Sequence, residues 1–348
     1  MSSFAKSWRW NLPVVGVVLT YIGVTVALSR IAGFGLPPLG AYFGVASSLG
    51  LASVILVGLT LLYDLARNRP ESPIAYLRPW LAERKIVERV LLAAPQALAL
   101  TVLAVMFVAV KSSIPLFHPF TLDPLFADLD AALFLGQDPW RVIHPLVGYP
   151  WVSATLNFFY NIWLPTLLVV ALLFMCWSER PKLRLQYLLA HALCWILVGS
   201  VAATALASVG PCFYAPFYGD QRFEPLMAYL RDANQVAPIP ALKVQGMLLT
   251  WAESERFGLG GGISAMPSMH VSGATLLVLA GRSVSPLWGR IAMAFLAVIF
   301  IGSIHLGYHY ALDGVLGALM TTVIWYVSGK VAAAYLERTE TAPEPVAA

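Results

Sequence analysis

Charge is scarce in this chain. Asp, Glu, Lys and Arg together make up only 11% of its 348 residues, against about 25% in a typical soluble protein. Hydrophobic residues make up 59%, more than a soluble protein of this length can bury. The composition therefore excludes a soluble two-domain enzyme, a disordered chain and a nucleic-acid binder, and it indicates a polytopic membrane protein.

Cysteine is scarce as well. The chain has only Cys176, Cys194 and Cys212, and an odd number so widely spaced excludes a disulfide framework. Long repeats and low-complexity tracts are absent, and no motif indicates a cofactor. The few ionisable residues are therefore the informative ones.

Apolar runs without charge dominate the sequence. A bilayer core of about 30 Å needs about 20 helical residues. We predict an all-α fold, a polytopic membrane helix bundle of about eight transmembrane helices. The sixth run is short and begins at a proline, so we expect it to extend through Arg282 or to take length from the preceding loop. The runs are 12–29, 40–63, 90–110, 153–177, 185–207, 268–281, 291–308 and 312–333.

Positive residues are distributed unevenly between the two sides of these runs. With the N-terminus placed inside, 15 of the 22 Lys and Arg residues fall in inner segments and 7 in outer segments. Because positive residues concentrate in cytoplasmic loops, we expect cytoplasmic termini, with loops 111–152 and 208–267 outside. The first run follows Lys6 and Arg9 without a convincing cleavage site, which favours an uncleaved anchor. We expect a bacterial inner-membrane protein.

The segment 70–89 mixes Leu, Trp and Tyr with Arg and Lys. This composition suits either a short helix on the inner leaflet or a solvated linker. The segment separates an N-terminal two-helix unit, residues 1–89, from a catalytic six-helix core, residues 90–335. We expect the polar tail, residues 336–348, to be disordered.

The outer loop 111–152 is apolar for a loop. Leu, Phe and Trp are set among aspartates there, which predicts short helices resting on the outer face of the bundle. Asp123, Asp128 and Asp130 could suggest a metal site, but the amphipathic setting favours a solvated face.

Three of the six histidines lie in two short motifs. His270 ends the motif Pro-Ser-Met-His at the start of the sixth run. His309 and Asp313 lie four residues apart, so on a continuous helix they share one face. A carboxylate that holds one imidazole nitrogen leaves the other free as a nucleophile. The set fits phosphoryl transfer through a phosphohistidine: His309 attacks, Asp313 stabilises the imidazolium and His270 protonates the leaving oxygen.

A phosphate site also needs positive or dipolar groups. Pro267 and Ser268 open the sixth run, where the free N–H groups of a helix start favour anions; Ser268 also suits a plain N-cap. Glycines 260–262 allow backbone to approach a ligand closely. Arg222 is the first candidate cation, and His305 is predicted either to contact phosphate or to bond to a neighbouring helix. The remaining outer cations are Lys111, Arg141, Arg231, Lys243 and Arg256.

At these residues the sequence resembles the type 2 phosphatidic acid phosphatase (PAP2) superfamily, and more narrowly its Aur1-like inositolphosphotransferase branch. Residues 267–270 match the second motif, Pro-Ser-x-His, and residues 306–313 match the branch's third motif, Leu-Gly-x-His-Tyr-x-x-Asp. The resemblance covers roughly residues 90–333 and implies a six-helix PAP2-like core.

The resemblance also implies residue roles and shows two departures. The first motif, a Lys followed by an Arg-Pro pair, has no clear copy, and Arg222 is the best substitute. The Arg that usually precedes the nucleophile by six residues is Ser303 here. The implied roles are nucleophile for His309, orienting acid for Asp313, acid/base for His270 and phosphate contact for Ser268.

The leading hypothesis is an integral membrane lipid phosphatase or phosphotransferase that needs no metal. Its substrate is a lipid phosphate or phosphodiester in the bilayer, at the extracytoplasmic face, and its acceptor is water or an alcohol such as inositol. One alternative is a non-catalytic transporter or scaffold. A serine hydrolase on Ser268 or Ser272 is weaker because the chain has no G-x-S-x-G elbow. Another alternative is a metal-dependent membrane enzyme with the ligands His270, His305, His309 and Asp313.

Overall fold

The computed structural model describes residues 8–253 and 261–341. Within these residues every regular element is a helix, which confirms the predicted all-α fold. Seven of the described helices are long and apolar enough to cross a membrane. Helices are numbered α1 to α14 in chain order. The long ones are α1 (Leu12–Ala32), α2 (Leu39–Asn68), α4 (Ile86–Phe117), α7 (Pro150–Met175), α8 (Pro181–Ala205), α13 (Pro286–His305) and α14 (Ala311–Thr341).

Shorter helices fill the connections between the long ones. The segment 70–89 contains a helix, in which Trp80 donates a hydrogen bond to Asp64 at 2.7 Å. Short helices are predicted in the loop 111–152, and the structure has two there. The shorter helices are α3 (Pro73–Glu83), α5 (Asp123–Leu133), α6 (Pro139–Val147), α9 (Tyr214–Tyr218), α10 (Glu224–Val236), α11 (Ala241–Glu253) and α12 (Met269–Val284).

The sixth predicted span, α12, is shorter than a membrane-crossing helix. Its 16 residues rise about 24 Å, and it includes Arg282 as predicted. The helix begins after Ser268, whose hydroxyl accepts the N–H of Val271 at 3.4 Å. Ser285 ends it and caps α13 by accepting the N–H of Trp288 at 3.3 Å. Most of its residues are buried, and it packs against α7, α8, α13 and α14.

The helix α8 changes its winding part-way along. It is π-helical over Cys194–Ala202, a form that often accompanies functional sites. Gly199 lies in this stretch, and a Cβ there would be 2.7 Å from the ring of Phe107 and 3.0 Å from the sulfur of Met269. The glycine therefore lets α8 lie close to α4 and to the first turn of α12.

A buried polar cluster attaches the N-terminal helix to the rest of the bundle. Asn11 donates to the carbonyl of Leu92 at 3.0 Å. Its side-chain oxygen accepts from Gln96 at 3.1 Å and from Arg184 at 2.8 Å. The side chains of this cluster are buried, so α1 is joined to α4 and α8 through polar contacts that lipid cannot replace.

The last helix is longer than expected. It continues to Thr341, past residue 336, where we expect the polar tail to begin. Tyr335 donates to the carbonyl of Arg9 at 3.0 Å, and this contact holds the end of α14 against the start of the chain. Lys6 and residues 342–348 lie outside the described residues.

The bundle has two distinct ends. At one end the α7–α8 and α12–α13 connections meet, where Arg180 donates to the carbonyl of Ser283 at 3.1 Å. At the other end α4, α8 and α13 finish, and α7, α12 and α14 begin. Both histidine motifs lie at this second end.

Candidate active site

Two helix starts and one helix end meet at the site. The helix α13 ends at His305, a turn over residues 306–310 follows, and α14 begins directly after it. Gly307 has φ 75° in this turn, a conformation that glycine adopts without strain. The N–H of Ser268 donates to the carbonyl of Asp313 at 3.0 Å. The first turns of α12 and α14 are therefore fixed to each other.

The ring of His309 is held by two acceptors. Its Nδ1 lies 3.1 Å from Oδ2 of Asp313 and 2.9 Å from the carbonyl oxygen of Ala265. Since a carbonyl can only accept, Nδ1 carries the proton, and Nε2 keeps a free lone pair. The four-residue pairing expected from the sequence is present, between residues that are 5% and 0% exposed.

The surroundings of His309 keep its ring neutral. Burial lowers the pKa of the imidazole to about 3, the hydrogen bond with Ala265 opposes this shift, and the charge of Lys111 adds to it. The carboxylate that holds the ring is itself fixed, because Oδ2 of Asp313 also accepts the N–H of Tyr310 at 3.0 Å. At neutral pH the ring is therefore an oriented, unprotonated imidazole.

The ring of His270 faces that of His309. Their centroids are 5.8 Å apart, with an interplanar angle of 62°. Tyr160 stacks on the ring of His270 at 4.0 Å, and Trp163 contacts it at 4.4 Å. These aromatic contacts fix the ring plane. At this separation one bound phosphoryl group can contact both imidazoles.

Ser268 is buried, and its hydroxyl serves as the cap of α12. Its carbonyl accepts the hydroxyl of Ser272 at 2.8 Å. The expected N-cap is thus present, and a phosphate contact of Ser268 stays a prediction. Within the described part of the chain, neither serine has a hydrogen bond to a histidine, so the serine-hydrolase alternative has no geometric support.

Lys111, near the end of α4, contributes a positive charge to the site. Its electrostatic effect reaches both His270 and His309. Gly262 has φ 81°, and a Cβ there would lie 2.8 Å from the carbonyl carbon of Lys111 and 3.0 Å from its Cγ. The glycine run is expected to let the backbone approach a ligand closely. At Gly262 the backbone instead approaches Lys111 of α4 closely.

A sequence profile of the PAP2 superfamily matches residues 125–327, which is more than half of the chain. The chain belongs to the PAP2 superfamily. The matched range includes both histidine motifs and Asp313. Searches of curated proteins and of solved structures give no significant match.

The PAP2 first motif has a candidate copy just before the matched range. Lys111 is followed by the pair His118 and Pro119, which is the order of the motif with His in place of Arg. Because the Arg of the motif is absent from this stretch, it is not a clear copy, and a contact of Lys111 with phosphate stays a prediction. The sequence signal for this candidate is a lysine at the end of an apolar run, followed by an X-Pro pair.

Arg222, expected to contact phosphate, is bound by acidic groups instead. Its guanidinium donates to Asp138 at 2.9 Å, to Asp128 at 2.6 Å and to the carbonyl of Ala127 at 2.9 Å. Asp128 and Ala127 belong to α5, and Asp138 precedes α6. Arg222 therefore joins these short helices to the segment before α10. The predicted contact of Arg222 with phosphate has no geometric support.

We predict that Arg222→Ala lowers stability and leaves phosphate binding intact. Three partners lose a donor at a side chain that is 22% exposed, so we expect a loss of about 1–2 kcal/mol in the free energy of unfolding. The KM for a phosphate substrate should change by less than about threefold. Thermal unfolding and initial rates in detergent measure the two effects. A tenfold rise in KM at unchanged stability would contradict the prediction.

His305 is directed toward α7. Its Nε2 lies 2.8 Å from Oγ of Ser153, which lies 2.8 Å from the hydroxyl of Tyr229. This is the helix–helix hydrogen bond expected as the alternative to phosphate contact. Over residues 8–253 and 261–341, no three His, Cys, Asp or Glu side chains are grouped so that they could hold a metal ion. The ligand set of the metal-dependent alternative is therefore not assembled.

The other candidate cations are dispersed. Arg231 pairs with Glu224, and Arg141 lies 3.7 Å from Asp138. Lys243 is exposed on α11. Arg256 and Gly260 lie outside the described part of the chain.

Two aspartates of α5 are buried, contrary to the expectation of a solvated face. Asp123 and Asp130 are 0% and 1% exposed, whereas the side chain of Asp128 is 75% exposed. Burial raises the pKa of Asp130 to about 6, although the N–H groups of Ala311 and Leu312 oppose the shift. The helix therefore turns two carboxylates toward the start of α14 and only the third toward solvent.

Proposed function

We propose that this PAP2 protein is a lipid phosphatase or phosphotransferase that forms a phosphohistidine at His309. Its family and its membrane-length helices make it a membrane protein of phosphatase type. The finer proposal depends on one observation. Because Nδ1 of His309 is held by Ala265 and Asp313, its Nε2 is an available nucleophile opposite His270.

In the first step Nε2 of His309 attacks phosphorus and a P–N bond forms. The P–O bond to the leaving group breaks, and His270 gives a proton to the departing oxygen. Asp313 stabilises the positive charge on the phosphorylated ring. Lys111 balances the negative charge on the phosphoryl oxygens, which is the main electrostatic demand of this reaction.

In the second step an acceptor hydroxyl attacks the phosphohistidine. His270 takes the acceptor's proton, the P–N bond breaks, and His309 returns to its neutral form. With water the product of a lipid monophosphate is inorganic phosphate. With an alcohol such as inositol, a lipid monophosphate gives the phosphate monoester of that alcohol, and a phosphodiester substrate gives a new phosphodiester. The resemblance of residues 306–313 to the Aur1-like branch favours transfer.

The proposal places the site at the extracytoplasmic face of a bacterial inner membrane, with both termini in the cytoplasm. The excess of positive residues in the inner segments supports this orientation. The α7–α8 connection, with Arg180, and the first turn of α8, with Lys182, lie at the end of the bundle opposite His309.

We expect the purified protein in lipid nanodiscs to act on lipid phosphates, and assays with and without inositol separate the two activities. Inorganic phosphate alone indicates a phosphatase, and a new phosphate ester of inositol that appears only with inositol indicates a transferase. In sealed vesicles, substrate should be consumed only from the side opposite the termini. Full activity after exhaustive chelation is expected. Loss on chelation, with recovery on adding a divalent metal, would favour the metal-dependent alternative.

A further inference from the structure

The helix α5 presents two buried carboxylates to the turn that carries His309. Asp123 and Asp130 are seven residues apart, so they lie on one face of the helix, two turns from each other. Neither residue takes part in the reaction proposed above. A buried carboxylate is costly unless it is hydrogen-bonded, so its partners show what it holds in place.

Asp130 caps α14 from a different helix. Its Oδ2 accepts the N–H of Ala311 at 2.6 Å, and its Oδ1 accepts the N–H of Leu312 at 2.9 Å. These N–H groups belong to the first turn of α14 and have no acceptor within that helix. The residue in the usual capping position is Tyr310, whose hydroxyl donates to Asp123 at 2.9 Å instead. Asp130 therefore replaces a local cap.

Asp123 holds the same turn from the other side. Its Oδ1 accepts the hydroxyl of Tyr310 and the N–H of Gly210, at 2.9 and 2.8 Å. Gly210 has φ 86°, and a Cβ there would be 2.5 Å from the carbonyl oxygen of Tyr308. The backbone before and after His309 is thus confined by groups that α5 binds.

We propose that Asp130 is a positioning residue for the nucleophile. By capping the first turn of α14, it sets the distance and angle between His309, which precedes that turn, and Asp313, which is the third residue in it. Without the cap the turn frays, and the 3.1 Å contact between Nδ1 and Oδ2 is lost for part of the time. The kinetic readout of this proposal rests on the proposed function.

The test compares three variants in α5. Asp130→Ala is expected to lower kcat about 30-fold with KM changed by less than about threefold, because misplacing a nucleophile affects turnover more than binding. Asp130→Asn keeps an acceptor oxygen for only one of the two N–H groups, because an amide NH2 cannot accept, so we expect a smaller loss in kcat of about fivefold. Asp128→Asn removes an exposed charge from the other face of α5 and is the matched control, with unchanged kcat.

A fourth variant covers the case in which Asp130→Ala does not fold. Asp130→Glu keeps the charge but displaces the carboxylate by one methylene, and it is expected to lower kcat about tenfold. Wild-type kcat in both the Ala and the Glu variants, or in the Glu variant alone if the Ala variant is unfolded, would overturn the proposal.

A second readout needs no substrate. Nitrogen-15 NMR of the histidine side chains reports the tautomer of His309, assigned by the signal that disappears in His309→Asn. The wild type should show the Nδ1–H tautomer, and Asp130→Ala or Asp130→Glu a mixture of tautomers. That shift in a protein without phosphoryl transfer would support the positioning role and overturn only the proposed function. An unchanged tautomer in every Asp130 variant would overturn the positioning role.

Discussion

His309→Asn is expected to abolish turnover. In the proposed reaction the Nε2 of His309 forms the bond to phosphorus, and an amide cannot replace it as a nucleophile. Removing a nucleophile from an assembled catalytic group costs up to about 10⁶-fold in kcat, and we expect a loss of at least about 10⁴-fold here. Turnover of a phosphorus-32-labelled lipid, with rapid acid-free quenching to retain the phosphohistidine, measures both the rate and the covalent label.

His191→Gln is the matched control for this variant. His191 is also buried, and its Nε2 accepts the indole N–H of Trp195 at 3.2 Å. A glutamine oxygen can accept the same hydrogen bond, so turnover and label should be close to wild type. Covalent label retained in His309→Asn would contradict the assignment. If the covalent label instead depends on His270, then His270 is the nucleophile and His309 is the acid/base.

Lys111→Met is expected to cause the second-largest loss. Phosphoryl transfer spreads negative charge over three oxygens, and the charge of Lys111 acts on both histidines that flank the reacting group. Removing one such electrostatic group typically costs about 10²–10³-fold, and we expect a loss of this size in kcat/KM. Methionine keeps the unbranched side chain beside Gly262, so the packing of α4 against that loop is retained.

Two further variants complete this experiment. Lys111→Arg keeps the charge with a bulkier head, and we expect an intermediate loss of about tenfold in kcat/KM. Lys182→Met removes a lysine from the opposite end of the bundle and should leave kcat/KM unchanged. Wild-type kcat/KM in Lys111→Met would show that another cation meets the phosphate, and Arg222 would then regain its place as the first candidate.

Local features of the sequence were sufficient to predict the long helices and the pairing of His309 with Asp313. Membrane-crossing helices need about 20 apolar residues in a row, and a run of that kind is visible without knowledge of its neighbours. The pairing spans four residues, so one helical turn sets it. The start of α12 at Ser268 was also predictable, because a serine cap acts on the N–H groups that follow it.

Contacts between distant segments could not be predicted in the same way. The charge of Lys111 acts on His309 from almost 200 residues away in the sequence, and only the fold shows that the two residues belong to one site. In α5 the amphipathic pattern predicts that the aspartates face solvent, whereas the structure buries Asp123 and Asp130. The pattern does not decide which face of α5 is buried, because in a membrane protein apolar side chains can face either protein or lipid. Carboxylates such as that of Asp130 can also be buried when they bind the free N–H groups of a helix start.

The short central helix has a consequence for how the protein responds to its membrane. Hydrophobic mismatch makes a lipid-facing helix tilt or shift when the bilayer thickness changes. The helix α2 is of that kind, with Phe43 72% and Val54 70% exposed. In α12, by contrast, Ser272 and Ala274 are 0% exposed, and neighbouring helices enclose it. The hydrogen bond from the N–H of Ser268 to the carbonyl of Asp313 also joins the start of α12 to that of α14. We therefore expect the separation of His270 from His309 to depend little on the thickness of the bilayer.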